Sequence, residues 1–237
     1  MLLRSFAVQG SWNYRTLIGA GFAFALLPAL RVIYRDRPDE LQAALQRHLS
    51  IFNSHPYLVP MALGAVAVLE QTESPEVIDR FKSAVRGSLG SLGDRLVWAG
   101  WRPVCVLMAL LLVALGSRWL TSIVFFLLVY NTGHVLLRVY ALRAGTRYGK
   151  QLGEHLRSAP VERVQRNLQR SGAFLIGILI PLLASGRSLR VELPLWWFAI
   201  ALLAVVVGAR FGAAVRLPLV FALTLFTLVG FALEVIR

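Results

Sequence analysis

The length of the apolar segments is the strongest constraint on this chain, because most of them are too short or too interrupted to cross a bilayer as straight helices. A spanning helix needs about 20 predominantly apolar residues. The segments lie near 17–33, 56–69, 103–116, 119–137, 172–185, 193–209 and 217–236. Only the last meets the requirement cleanly, although it carries Glu234. The pattern predicts an all-α membrane protein that combines several transmembrane helices with re-entrant or broken half-helices.

Composition supports a membrane location. Of the 237 residues, 57% are hydrophobic and 16% are charged, whereas a soluble domain averages about 45–50% and about 25% respectively. The formal net charge of +13 favours contact with anionic lipid head groups over nucleic acid, since many basic residues lie between apolar runs. The single cysteine, Cys105, excludes an internal disulfide, and we expect it to be a small buried hydrophobic side chain.

Two polar segments separate the apolar blocks. Within residues 35–50, Leu41, Leu45 and Leu49 lie four positions apart, which predicts an amphipathic helix at the membrane interface or against a neighbouring helix. Residues 138–170 contain eight basic and two acidic side chains. The positive-inside tendency assigns this basic segment to the cytoplasm and the C-terminus to the outside.

We expect one membrane domain, 1–237, with four regions. These are a polar-motif and re-entrant region (1–102), a helical hairpin (103–137), the basic cytoplasmic segment (138–170) and the C-terminal transmembrane helices (171–237). Gln9, Ser11 and Asn13 interrupt the N-terminal region where a signal peptide would be continuously apolar, so we expect the start to be retained.

Two short polar clusters, Gln9 to Tyr14 and Phe52 to Tyr57, lie beside interrupted apolar segments. Irregular polar backbone is tolerated at membrane depth only where protein or a water-filled cavity surrounds it. Interrupted hydrophobic segments are also a pointer to the substrate site of transporters. The two clusters are therefore the first candidates for a functional site. A charge at Glu70, at the end of the run 56–69, also requires a partner or the interface.

Residues 86–94 place three glycines at a spacing of three, which permits close helix packing. Their similarity to a phosphate-binding loop is weak, because no Gly-Lys-Ser/Thr follows and no strand precedes. Further along, Asn131, His134 and Arg138 fall on roughly one helical face. No carboxylate joins them in a zinc-binding pattern, so no metal site is expected.

The run from Arg4 to Tyr14, continued by Gly21 to Leu30, resembles the start of the IID membrane subunit in the mannose/fructose/sorbose branch of the bacterial phosphotransferase system. Phe52 to Tyr57 resembles the F-N-T-H-P-Y motif of that family. Gly87 to Asp94 resembles its glycine-rich segment, and Tyr130 to Arg138 its Y-N-x-x-H-x-x-x-R segment. The four matches occur in the family's order.

Two departures from the family pattern are evident. Arg15 stands where family members have an acidic residue, and Ser88 and Ser91 replace a proline and a glycine. The resemblance implies a bacterial inner-membrane subunit that forms, with a IIC subunit, the uptake pathway for a mannose-type hexose. It further implies a trimer of IIC–IID pairs, phosphate supplied by soluble IIA and IIB units, and a subunit that has no catalytic residue and needs no cofactor.

A hexose offers hydroxyl groups and no charge, so its site needs neutral donors and acceptors beside aromatic rings. Asn53, His55, Gln9 and Asn13 supply these groups and are the expected substrate-binding residues. Each has a structural alternative, because Asn commonly caps helices or forms turns and His55 could hold a loop by bonding a backbone carbonyl.

Three further residues have two open roles. Asp94, Asn131 and His134 are expected either to line the pathway or to form the interface with the other subunit. Arg138 is expected to be a cytoplasmic anchor.

Two other functions remain open at this point. A structural or regulatory membrane subunit with the same fold but no transport activity is favoured by Arg15. A membrane-embedded enzyme that uses His55, Asp94 or His134 has no supporting Ser–Lys, Asp–Asp or His–Glu spacing.

Overall fold

A computed structural model describes residues 1–184, which form helices joined by short loops. The α-helices are α1 (Leu2–Ser5), α2 (Gly19–Ile33), α3 (Pro38–His48), α4 (Val59–Thr72), α5 (Pro75–Gly93), α6 (Arg102–Ala114), α7 (Trp119–Tyr148), α8 (Leu152–Ser158) and α9 (Val161–Ala184). A π-helical stretch, Asp94–Trp101, joins α5 to α6, and a 3-10 turn, Gly149–Gln151, joins α7 to α8. Within residues 1–184 the strand-like pairing consists of two isolated bridges. The predicted all-α class is confirmed.

Residues Met1–Gly177 form one compact unit, and α4 is its centre. Every residue from Val59 to Ala67 is buried. At 14 residues, α4 is ~21 Å long and shorter than the ~30 Å hydrocarbon core. It packs against α2, α5 and α7. A helix that is apolar on all sides is expected to be buried in this way, so protein covers this short helix.

The remaining core comes from one face of each neighbouring helix. Phe22, Leu26 and Leu30 of α2 are fully buried. The predicted amphipathic helix within 35–50 is confirmed as α3, whose Leu41 and Leu45 pack partly buried against the core. Leu49 is exposed because α3 ends one residue before it.

Two glycines allow α4 and α7 to approach closely. A Cβ on Gly64 would lie 2.6 Å from the carbonyl oxygen of Leu142. A Cβ on Gly145 would overlap the carbonyl oxygen of Met61. Backbone therefore meets backbone from both sides, which is the small-residue packing that membrane helices use.

Two stretches of continuous helix, Pro75–Ala114 and Trp119–Ser158, are long and apolar enough to cross a membrane. The turn between them contains Gly116 with φ +90°, a conformation that favours glycine. Large apolar side chains are exposed along both stretches, among them Leu110, Val113, Leu120, Ile123, Leu127 and Leu128. This surface suits contact with lipid.

The predicted apolar and basic segments map onto these helices. The basic stretch begins inside α7, which continues to Tyr148, and the apolar run 172–185 overlaps the end of α9. The runs 193–209 and 217–236 lie outside the described residues. Cys105 is a free, buried thiol, which confirms its expected role as a small hydrophobic side chain.

Candidate functional site

His55 lies in the loop that leads from α3 into α4 and is 2% exposed. Its Nδ1 accepts the backbone N–H of Tyr57 at 3.3 Å, so the neutral ring carries its proton on Nε2. Burial lowers the pKa of His55 to about 4, while Asp94 opposes the shift and Arg138 reinforces it. Within the described residues Nε2 has no hydrogen-bond partner. The ring therefore holds a buried N–H donor that residues 1–184 leave without an acceptor.

Aromatic rings and a glycine surround His55. The ring centroids of Tyr57 and Trp98 each lie 5.1 Å from that of His55. A Cβ on Gly93 would overlap the His55 ring, and a Cβ on Gly90 would lie 3.9 Å from the Cα of Ser54. The glycine segment is helical here, as the end of α5. Gly93 packs closely against the side chain of a loop residue, whereas a Cβ on Gly87 would meet nothing within 4 Å.

Tyr57 connects this loop to α7. Its ring stacks on that of His134 with centroids 3.7 Å apart, and its hydroxyl lies 2.7 Å from the hydroxyl of Tyr130. Arg138 Nε donates to His134 Nε2 at 2.6 Å, and the guanidinium lies over the Tyr57 ring at 5.3 Å. Tyr130, His134 and Arg138 thus share one face of α7 toward the loop.

Arg138 also binds the N-terminal segment. Its Nη1 donates to the carbonyl oxygen of Ser5 at 2.8 Å and to Ser5 Oγ at 2.9 Å, and its guanidinium lies 4.5 Å from the centre of the Phe6 ring. Arg138 is only 3% exposed. The expectation that it anchors the chain at the cytoplasmic surface is therefore wrong, because the N-terminal segment covers it and Ser5 accepts hydrogen bonds from its Nη1.

Asn13 organises the loop between α1 and α2. Its Oδ1 accepts the backbone N–H groups of Arg15 and Thr16 at 3.0 and 2.9 Å. The resulting turn holds Leu17 at φ 56°, the left-handed region that side chains other than glycine rarely adopt.

The same loop is tied to the second motif. Phe52 donates its backbone N–H to Thr16 and accepts that of Ile18, at 3.2 and 3.0 Å. The Asn13 turn therefore positions Phe52, three residues before His55.

The structure brings some of the predicted site residues together and leaves others at the surface. His55 and His134 lie in one aromatic cluster, and Asp94 is close enough to affect the pKa of His55. Gln9, Asn53, Asp94 and Asn131 have exposed side chains. Asn131 donates to the carbonyl oxygen of Leu127 at 2.7 Å. Among the described residues, no group of three or more His, Cys, Asp or Glu side chains could hold a metal ion.

Glu70 is the centre of a second, buried cluster. Tyr34 Oη donates to Glu70 Oε2 at 2.6 Å, Arg47 Nη2 donates to both carboxylate oxygens at 2.8 Å, and His48 Nε2 lies 2.8 Å from Oε1. The predicted requirement for a partner at Glu70 is confirmed. Nearby, Lys82 is 3% exposed and donates to the carbonyl oxygen of Arg47 and to Ser50 Oγ.

Protonation in this cluster is set by burial and by the shared carboxylate. Burial disfavours the charge on Glu70, but hydrogen bonds from His48, Arg47 and Tyr34 outweigh it and lower its pKa to about 2. Burial, reinforced by the bond to Glu70, raises the pKa of Tyr34 to about 12. Burial also lowers the pKa of His48 against the effect of Glu70. The cluster thus contains an ionised carboxylate, a neutral phenol and a neutral imidazole near pH 7.

Sequence patterns identified only part of these clusters. The helical spacing of Asn131, His134 and Arg138 indicated a shared face, and in the structure Tyr130 rather than Asn131 joins His134 and Arg138 at the loop. Glu70 indicated a missing partner. Nothing in the sequence marked Ser5 as a partner of Arg138, or Arg47 and His48 as partners of Glu70. These contacts depend on tertiary packing between segments far apart in the chain.

Comparison with known families gives one consistent result. Residues 1–195 match the family model of the PTS system mannose/fructose/sorbose family IID component. The mannose-specific EIID component of Escherichia coli K12 is 27% identical over 186 residues, covering 76% of this chain and 65% of the relative. The sorbose-specific EIID component of Klebsiella pneumoniae is 28% identical, with 76% and 67% covered. The matched region thus spans about 65% of the Escherichia coli relative.

Solved structures show the same likeness. The cryoEM structure of the mannose transporter ManYZ in complex with microcin E492 (MceA) matches with a TM-score of 0.58 and 27% identity, covering 76% of this chain and 67% of that one. A second structure, described as that of a membrane protein, matches with a TM-score of 0.66 and 26% identity over the same shares. The helical arrangement is therefore shared with solved membrane proteins.

Proposed function

The chain belongs to the mannose/fructose/sorbose family of IID components of the phosphotransferase system, and on this premise we propose that it forms a hexose permease together with a IIC membrane subunit. The relatives' names include mannose-specific, sorbose-specific and fructose components. We assign a mannose-type hexose as the substrate. Phosphoryl transfer is assigned to separate IIA and IIB units, so this chain is a translocation subunit rather than a catalyst.

The observation that carries the proposal is the convergence of four motif segments around one loop. Ser5, from the first segment, binds Arg138, from the last. Gly93 makes room for His55, and Tyr57 stacks on His134. Motifs that only stabilised separate helices would not have to meet at one place, so their convergence favours a shared functional site.

The chemistry of this loop suits a neutral, polyhydroxylated ligand. His55 Nε2–H is a donor without a partner in the described part of the chain, and the Asn53 amide is exposed two residues earlier in the loop. Trp98, 40% exposed, offers an indole face for the C–H side of a sugar ring. We assign Asn53 and His55 to direct contact with the hexose. Gln9 is assigned to the same pathway, and Asn13 contributes by holding the loop against Phe52.

We propose that the sugar binds where this surface meets the IIC subunit. Asp94, Asn131 and His134 are assigned to the pathway or to that interface. A rigid-body shift of one module against the other carries the sugar inward, and phosphorylation on the cytoplasmic side traps it, because a phosphate group does not recross hydrocarbon. The assembly we propose is a trimer of IIC–IID pairs in the inner membrane, with the basic segment 138–170 facing the cytoplasm.

Hexose binding by the reconstituted IIC–IID pair tests the site assignment. Asn53→Ala and His55→Ala are compared with Gln42→Ala, an exposed amide on α3. Each lost hydrogen bond is expected to weaken binding by up to about tenfold, and the control is expected to bind like the parent chain. Thermal unfolding of each preparation separates loss of binding from loss of folding. Unchanged binding in both folded variants would remove the site assignment.

A structural or regulatory role without transport is the second candidate. Arg15 favours this role, because Arg15 is exposed and stands where the family has an acidic residue. Sugar uptake by cells that co-express the chain with its IIC partner distinguishes the two functions. Sugar uptake that requires both this chain and the IIC subunit supports the permease. The variant Arg15→Glu tests whether an acidic group at this position increases the rate of sugar uptake. Absence of uptake in both variants favours the structural role.

A further inference from the structure

A groove of about 660 Å³ lies between the end of α5 and the segment that joins α8 to α9. Four arginines line it: Arg95, Arg157, Arg163 and Arg166. The one acidic side chain in its lining, Glu162, pairs with Arg166 at 3.3 Å, and both side chains are largely exposed. The groove therefore has an excess of positive charge and belongs to neither the His55 loop nor the Glu70 cluster.

Three of these guanidinium groups are free of carboxylates. In the described part of the chain, Arg95, Arg157 and Arg163 form no ion pair with a carboxylate. Like charges around one groove repel each other, and a bound anion relieves the repulsion. The guanidinium group binds phosphate oxygens through two parallel N–H donors, so phosphate is the anion that this lining fits best.

The depth of the groove places it at the edge of the bilayer. The apolar run of α6 begins at Pro103, and Arg102 just before it is exposed. An exposed charge avoids the hydrocarbon core, so Arg102 marks its edge. Arg95 lies seven positions before Arg102 in continuous helix, ~10 Å at 1.5 Å per residue, and so lies on the head-group side of this edge. Trp98 follows one turn later, and tryptophan is enriched at this boundary.

We propose that this groove binds the phosphate head group of an anionic membrane phospholipid. The arginines hold the phosphate, and Leu92, Leu156 and Val161 in the same lining contact the glycerol and the first methylene groups. A soluble phosphate would use the arginines but would gain nothing from these apolar side chains or from the position beside the membrane-spanning helices. Basic pockets beside spanning helices are a known mode of head-group recognition.

Native mass spectrometry of the purified full chain, titrated with phosphatidylglycerol, tests the proposal. The double variant Arg157→Gln and Arg163→Gln removes two exposed arginines from the groove. The matched control, Arg31→Gln and Arg35→Gln, removes two exposed arginines elsewhere. We expect the groove variant to bind the lipid about 30-fold more weakly and the control to bind like the parent chain. Phosphatidylcholine is expected to bind weakly to all three.

Three outcomes would overturn the proposal. Equal loss in the control variant would show that only net charge matters. Unchanged lipid binding in the groove variant would place the lipid elsewhere. Full competition by inorganic phosphate, with no added affinity for the lipid, would make the ligand a free anion. Circular dichroism of each variant verifies the fold, and the exposed positions of the substituted arginines make its retention the expected result.

Discussion

The rings of Tyr57 and His134 stack face to face, with centroids 3.7 Å apart and planes inclined by 13°. Tyr57 belongs to the loop before α4, and His134 lies in the middle of α7. This contact joins the His55 loop to a membrane-spanning helix. Arg138, one turn after His134, extends the connection to Ser5 in the N-terminal helix.

Replacement of Arg138 by methionine tests this connection. The change removes the donors to His134 and Ser5 while it retains apolar bulk, so buried acceptors lose their partners. We expect a loss of about 2–4 kcal/mol in the free energy of unfolding, measured by denaturant titration in detergent. Arg143→Met, at an exposed position of the same helix, is the control and is expected to change stability by less than about 0.5 kcal/mol. Equal stability of both variants would contradict the structural role of Arg138.

Gly93→Ala tests the space that α5 leaves for His55. The added Cβ would overlap the His55 ring, so either the ring or α5 must move, at a cost of about 1–3 kcal/mol. Gly87→Ala in the same helix is the control, because its Cβ would meet nothing within 4 Å. We expect Gly87→Ala to stabilise by about 0.5–1 kcal/mol through helix propensity. Thermal unfolding measures both, and equal shifts would exclude a tight contact at Gly93.

Glu70→Gln tests the buried cluster. The neutral amide leaves Arg47 with an uncompensated charge, and we expect a loss of about 3–5 kcal/mol in unfolding free energy. The comparison is Glu40→Gln, which breaks the exposed pair with Arg37 and is expected to cost less than about 1 kcal/mol. Denaturant midpoints of the two variants provide the measurement. A loss at Glu70 no larger than at Glu40 would mean that the cluster is not a source of stability.

Acidification is expected to destabilise the chain in two stages. The pKa values of His48 and His55 are lowered by burial, to about 4 for His55. As the pH drops below about 6.5, these histidines take up protons in the unfolded chain but not yet in the folded chain. The free energy of unfolding therefore falls. Glu70, lowered to about 2 from its ordinary 4.5, contributes fully above pH 4.5, and its contribution of about 3 kcal/mol is lost between there and pH 2.

Unfolding free energies from pH 8 to pH 3 measure both stages. In Glu70→Gln the loss of stability caused by Glu70 protonation, between pH 4.5 and pH 2, is expected to disappear. The loss caused by the histidines, which runs from about pH 6.5 to about pH 4 for His55, is expected to remain. A variant whose stability follows the same pH curve as the parent chain would exclude an ionised Glu70 in the folded state.

Sequence patterns predicted the fold well where a local rule applied. The apolar runs located α2, α4, α6 and α7, and the leucine spacing located α3. Periodicity and length act within one segment, so they can be recognised without knowledge of the neighbouring helices. The glycine segment, whose similarity to a phosphate-binding loop is weak in the sequence, is helical up to Gly93 as the end of α5.

The site was predicted less completely because its geometry depends on distant segments. His55 was named from its motif, but its unused donor follows from the N–H of Tyr57 binding Nδ1. Arg138 was misplaced because a basic residue after an apolar run usually reaches water, whereas here α1 covers it. The sequence predicted that Asn13 binds substrate, but in the structure its side-chain Oδ1 accepts the backbone N–H groups of Arg15 and Thr16. Composition and spacing do not report such contacts.

The contact between Gly64 and Gly145 limits how the helices can move. Because backbone meets backbone there, neither α4 nor α7 can turn about its own axis without driving a neighbouring side chain into the other helix. The two helices are therefore packed as one unit at this contact. A turn of α7 within the bilayer would therefore be transmitted to α4 and would change the direction in which the His55 donor points.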